Sequence, residues 1–172
     1  MRTKTKTFKL SLAKLAKLQS QNKIYLDDSF QSNERWDIKS KQEYMSSVLE
    51  GRAVTSIILA KLDSIVPALE LAFGENNEDY LFFKELQDKG YEYITIDGNN
   101  RDRCLSNFIE DDFPLTEKEY EIDDEDGQKY FKAKKENKYY SKLPEDMKIY
   151  VDNTVMNILV VIQADRRGLA DL

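Results

Sequence analysis

Apolar and polar positions change period repeatedly along this chain. "TKTKTFKL" alternates like a strand, and "SLAKLAKLQS" then sets Leu12, Leu15, Ala16 and Leu18 along one side of a short helix. "KIYL" reads as a short strand, followed by a polar loop, "DDSFQSNERWDI", that ends in Arg35-Trp36. "KSKQEYMSSVLEG" turns Tyr44, Met45, Val48 and Leu49 inward as an amphipathic helix stopped by Gly51. The β-branched run "VTSIILAKL" predicts a buried strand. "SIVPALELAFG" and "NEDYLFFKELQDKG" predict two helices, the second closed by Gly90, and "YEYITID" the next strand. Residues 99 to 110 predict its following helix, with Leu105, Phe108 and Ile109 at helical spacing. "LPEDMKIYVDN" suits a short helix with Pro144 near its start, and "TVMNILVVIQAD" a central strand. "RRGLADL" begins a further element.

Strands and helices are mixed, but their spacing is too irregular for a doubly wound sheet. The expectation is α+β: one domain over residues 1–172, a small mixed sheet flanked by helices. Two segments stand apart by charge. Residues 1 to 23 hold seven Lys/Arg and no acid, which suggests a basic N-terminal arm over residues 1–22 able to touch phosphate or a membrane surface, or a solvated helix with its Leu face on the core. Residues 110 to 126 carry ten acids and one lysine, and residues 127 to 142 six lysines and one acid. There "YEIDDEDGQKYFKA" predicts a hairpin turning at Asp126-Gly127, expected as a charged surface insertion over residues 115–142.

Composition narrows the chemistry. No histidine is present, which removes Ser-His and Cys-His catalysis, His-type metal sites and HNH-type nuclease chemistry from this chain. No GxxxxGK[ST] loop and no CxxC pair occur, and the single Cys104 forms no internal disulfide, as suits a reducing cytoplasm. No stretch approaches the ~18 apolar residues of a membrane span, so a soluble cytoplasmic protein without a membrane partner is expected. The net charge of -6 argues against a uniform phosphate-tracking surface and leaves room for a local basic patch.

Carboxylates, Lys/Arg, amides and backbone N–H groups remain, and they gather in "ITIDGNNRDRCLSNF", residues 94 to 108. A helix N-terminus offers free N–H groups and a positive dipole end to an anion. Gly98 permits positive φ and close approach, while Asn99 and Asn100 can cap the helix or donate to a ligand. Arg101 offers a planar fork for phosphate oxygens, and Asp97, at the strand end, can hold a divalent cation or a ribose hydroxyl. The same residues also make a plain Asp-Gly turn, an Asn cap and a surface arginine.

"YITIDGNNRDRCLSNF" resembles the DGQQR-type motif of the N-terminal domain of GmrSD-type modification-dependent restriction enzymes, within the ParB/sulfiredoxin-like superfamily. "FQSNERW" and "YMSSVLEGRAVTSIILA" follow that family's order of loop, helix and apolar strand, and the stretch from Leu143 to Leu172 resembles its third section. The resemblance covers about residues 20 to 110 and 143 to 172, and Gly98-x-x-Arg101 also fits the shorter G-x-x-R phosphate motif of ParB. Two departures stand out: Asn99-Asn100 replace two glutamines, and Ser32-Asn33-Glu34 intervene before Arg35.

The resemblance implies a nucleotide-binding domain, often a nucleoside triphosphatase, that gates DNA cleavage or senses modified DNA in a restriction or phage-type nuclease system. It also implies that this chain is the N-terminal part of a longer protein with a nuclease domain or partner subunit. In that scheme Gly98, Asn99, Asn100 and Arg101 cradle phosphate, and Arg101 neutralises transferred charge. Asp97 holds Mg²⁺ directly or through water, Arg35 is a second clamp, and Trp36 either stacks a base or joins the core. A DNA-binding module without turnover, and a protein-interaction or inhibitor domain, are the alternatives.

Overall fold

The computed structural model describes residues 2–27, 35–52, 56–124 and 127–170. Five strands make one mixed sheet: β1 (Lys4–Ser11), β2 (Ile24–Leu26), β3 (Ser56–Lys61), β4 (Tyr93–Asp97) and β7 (Val155–Gln163), in the order β1-β7-β3-β4-β2. β1 runs antiparallel to β7, β7 parallel to β3, β3 antiparallel to β4, and β4 parallel to β2. The fold is α+β. The expected strand at residues 54 to 60 begins on residues outside those described (Val54 and Thr55); from Ser56 it is the middle strand of the sheet.

Period-two alternation distributes the apolar strand residues between two cores. Ile57 and Leu59 of β3, with Met156, Ile158 and Val160 of β7, face one layer of helices. That layer holds α1 (Leu12–Ser20), α2 (Ile38–Leu49), α5 (Asn99–Ile109) and α6 (Glu145–Asn153). Ile58 and Ala60 of β3, with Ile94 and Ile96 of β4, face α3 (Leu62–Phe73), α4 (Glu78–Asp88) and α7 (Arg166–Ala170). α2 ends as its sequence predicts. Gly51 takes φ 64°, its N–H reaches Val48 O, and Arg52 N–H reaches Ser47 O, a Schellman closure.

The two charged segments fare differently. The basic residues 1–22 take the expected strand and helix, with the Leu face of the helix on the core. Their alternating half is the edge strand β1, hydrogen-bonded to β7 along its length, and their helical half buries Leu12 and Leu15 completely. Lysines are no obstacle on an edge strand, because both strand faces and the outer edge reach water. The hairpin is present as β5 (Glu119–Asp124) and β6 (Gly127–Lys132), with Asp126 of its expected turn outside the described residues. It is not a surface insertion, because one of its faces is core: Tyr120, Ile122, Phe131 and Ala133 are buried in the same cluster as Leu12 and Met45. The Tyr120 hydroxyl donates to Thr116 O at 3.0 Å and lies 3.3 Å from Ser46 Oγ on α2. The charged side chains at Glu119, Glu121 and Lys132 project from the other face.

Among the described residues no helix is long and apolar enough to cross a membrane.

Candidate functional site

Strand β4 ends at Asp97 and α5 starts at Asn99, leaving one residue to turn the chain. That residue, Gly98, takes φ 97° and ψ 18° and is itself the helix N-cap, without a side-chain cap bond. The amides do not cap, contrary to expectation. A left-handed N-cap that packs on β3 leaves a side chain little space: a Cβ at Gly98 would lie 3.2 Å from Ile57 Cγ1 and 3.3 Å from Ile57 Cα, so β3 would have to give by a few tenths of an ångström. Gly98→Ala therefore combines backbone strain with a clash, and a loss of about 1–3 kcal/mol is expected. Thermal melting checks this; an unchanged midpoint would show that the corner relaxes freely.

The first intrahelical bond runs from Asp102 N–H to Gly98 O at 2.8 Å, so the N–H groups of Asn99, Asn100 and Arg101 have no acceptor within the helix. The two amides differ in role. Asn99 is buried, 2% exposed, and its Nδ2 donates to Asp27 O at 2.9 Å, tying α5 to the end of β2. Its side chain is therefore a structural tie and not a donor to an outside ligand. Asn100 is half-buried, and its Oδ1 accepts the Trp36 backbone N–H at 3.4 Å. That contact joins the two loops the sequence singled out. It is secured from the far side, where Asp37 Oδ1 caps α2 by accepting Ser40 N–H at 2.7 Å. Arg35, one residue earlier, has an exposed side chain, and Ser32-Asn33-Glu34 before it lie outside the described residues. Trp36 is half-buried against the core, its ring edge-to-face with Tyr44 at 5.2 Å. Of its two expected roles the structure displays the core one.

Arg101 is tied to the corner through one nitrogen. Its Nη1 donates to Ser56 O at 2.9 Å and approaches Asp97 Oδ2 at 3.5 Å. Nη2 and Nε make no hydrogen bond among the described residues. The side chains of Arg101 and Asp97 are 34% and 43% exposed, so the pair is wet and weakly held. Half of the guanidinium fork thus stays available to an incoming anion. Among the described residues no three carboxylate or thiol groups cluster as a metal cage.

A polar row unremarked in the sequence lies behind the corner. Asn99, Asp102 and Ser106 share one face of α5, and Thr95 of β4 is buried with them. Asn99 Oδ1, Asp102 Oδ1, Ser106 Oγ and Thr95 Oγ1 are buried without a hydrogen-bond partner among the described residues. Orphaned buried oxygens are few in folded proteins, and several along the helix that begins at the candidate site set that helix apart from simple packing. Asp102 is fully buried and accepts a hydrogen bond from Gln19 Nε2 of α1 through its Oδ2. Burial pushes its carboxyl up to about 7, against the weaker opposing pull of the Gln19 bond and Arg103. The signal was available: counting back three from Leu105 places Asp102 on the apolar stripe. Cys104 is inert, its thiol buried and pushed up to about 12.

The chain matches no protein-family model, no curated protein and no solved structure.

Proposed function

We propose that the β4–α5 corner binds the phosphates of a nucleotide. The observation that carries this reading is the Trp36 N–H···Oδ1 Asn100 contact, which seats the end of the 30s loop beside the start of α5. Arg35 directly precedes that contact in the chain and has an exposed side chain, and Arg101 has Nη2 and Nε without a hydrogen bond among the described residues, which supports the reading. Backbone N–H groups of the first turn and the Arg101 fork are the phosphate donors, and Arg35 supplies a second positive charge. Asp97 offers one carboxylate, which fits a Mg²⁺ that takes its other ligands from phosphate and water. On binding, Arg101 would exchange its weak contact with Asp97 for a phosphate oxygen, and Asp97 would be one ligand of the Mg²⁺. When bound, the metal supplies charge neutralisation on the phosphates. Hydrolysis, and control of a DNA-cleaving partner or nuclease domain, are the further reach of the reading, and both rest on the motif resemblance.

Arg101→Ala tests it. Losing a charge-assisted bond of about 1.5–3 kcal/mol should weaken nucleoside triphosphate binding by roughly ten-fold or more. Among the described residues the variant loses the bond to Ser56 O and the exposed pair with Asp97, so stability should fall by less than about 1 kcal/mol. Calorimetric titration of wild type and variant with a magnesium-nucleotide checks the first, and urea unfolding the second. Wild type that binds no nucleotide, or a variant that binds equally well, rejects the site.

A further inference from the structure

We propose that β1, with the start of α1, is a surface for single-stranded nucleic acid, separate from the corner. The first observation is how charge is shared out. Residues 2 to 22 carry six cations, Arg2, Lys4, Lys6, Lys9, Lys14 and Lys17, and no acid, in a chain of net charge -6. None of the six forms an ion pair among the described residues, whereas Lys23, Lys61, Lys84, Lys118 and Lys138 each face an acid. Lys134, Lys135 and Lys148 are unpaired as well, so what sets this edge and the following helix apart is the run of cations with no acid in it.

The second observation is the shape of that edge. Among the described residues β1 pairs only with β7, which leaves its outer edge open, and residues from Lys4 to Lys9 are exposed. The register opposes Lys6 to Val160 and Phe8 to Ile158, so Lys6 and Phe8 lie on one face, while Thr5, Thr7 and Lys9 lie on the other. Lysines from both faces flank the open edge, with two threonine hydroxyls beside them. Protection of an edge strand from further pairing would account for the lysines alone. It does not account for Phe8, a large ring left 48% exposed on the face that carries Lys6. Cations that follow a phosphate backbone, with an aromatic on which a base stacks, are the elements of sequence-tolerant single-strand binding. An anionic membrane is the poorer fit, because surface insertion needs an apolar face and this stretch offers one ring. β7 and β3 lie between β1 and the corner strand β4, so the two surfaces are distinct.

Fluorescence anisotropy with a labelled oligo-dT of about 20 nucleotides, without nucleotide present, tests this at about 50 and about 200 mM salt. Wild type should bind with steep salt dependence. Lys4→Gln/Lys6→Gln/Lys9→Gln should lose about ten-fold or more at low salt, with the log–log slope shallower by about 2. Phe8→Ser should lose about five-fold with the slope unchanged, which a purely electrostatic contact would not show. Both variants alter exposed edge side chains and should melt with wild type, and both should keep any nucleotide binding at the corner. No binding by wild type, equal binding by the triple variant, tighter binding of a duplex of the same length, or preference for phosphatidylserine vesicles over the oligonucleotide overturns the proposal.

Discussion

Replacing residues 117 to 140 with a short Gly/Ser loop should leave the chain unfolded. Closing a loop of that length costs little, so the outcome turns on what the hairpin buries. Tyr120, Ile122 and Phe131 are 0%, 2% and 7% exposed and belong to the core of α1, α2 and α5. At about 1.5–3 kcal/mol for each large apolar side chain, their removal forfeits roughly 5–9 kcal/mol. Total stabilities of about 5–15 kcal/mol leave little after that. Tyr120→Ala is the milder form, with an expected loss of about 3–5 kcal/mol from the cavity and the lost hydroxyl bond. Circular dichroism and urea titration measure both. A cooperative melt near the wild-type midpoint in the loop replacement would show that α1, α2 and α5 close over the gap unaided.

The second large effect is on Asp102. Its carboxyl is raised from about 3.9 in the unfolded chain to about 7 in the fold. The proton is therefore held more tightly by the folded state. Asp102's contribution is most favourable below the unfolded value, declines as pH rises from about 4 to about 7, and is flat above. Three units correspond to about 4 kcal/mol. Asp102→Asn keeps the shape and cannot ionise. It should be more stable than wild type at pH 8 by up to about 4 kcal/mol, and the gap should close as pH falls toward 4. Taking the difference between the two proteins at each pH removes the part due to every other carboxylate. Parallel stability curves across that range would mean that Asp102 is hydrated in the folded state and that the buried row is open to water.

Local pattern was a reliable guide wherever one residue type had one physical consequence. The β-branched run of β3, the apolar run of β7, the spacing of Leu12 and Leu15, and Gly51 after α2 each matched an element close to its expected bounds. Charge was a poorer guide, because a strand or hairpin hides alternate residues. Glu119 and Glu121 pointed to a surface insertion, while Tyr120 and Ile122 faced inward. At the corner, Gly98 and Arg101 stood out by type. The different fates of Asn99 and Asn100 did not, since one is turned to Asp27 and the other to Trp36 only by the placement of β2 and the 30s loop. Asp102 escaped notice because an acid in a first helical turn usually faces water, and its burial depends on α1 packing across α5.

The position of β7 sets the order in which this sheet can assemble on a ribosome. β7 lies between β1 and β3, yet it is made last of the five strands. At translation speeds of about 5–20 residues per second, β1 waits roughly eight to thirty seconds for its partner. Through that interval β3 also has one open edge, and its Ile57–Ala60 run is among the most apolar in the chain. The half built from β2, β3, β4, α3 and α4 can form first, but its exposed edge invites pairing with another nascent chain. Yield of native protein should therefore depend on elongation rate and on chaperones that shield strands, and slow synthesis should favour aggregation over folding.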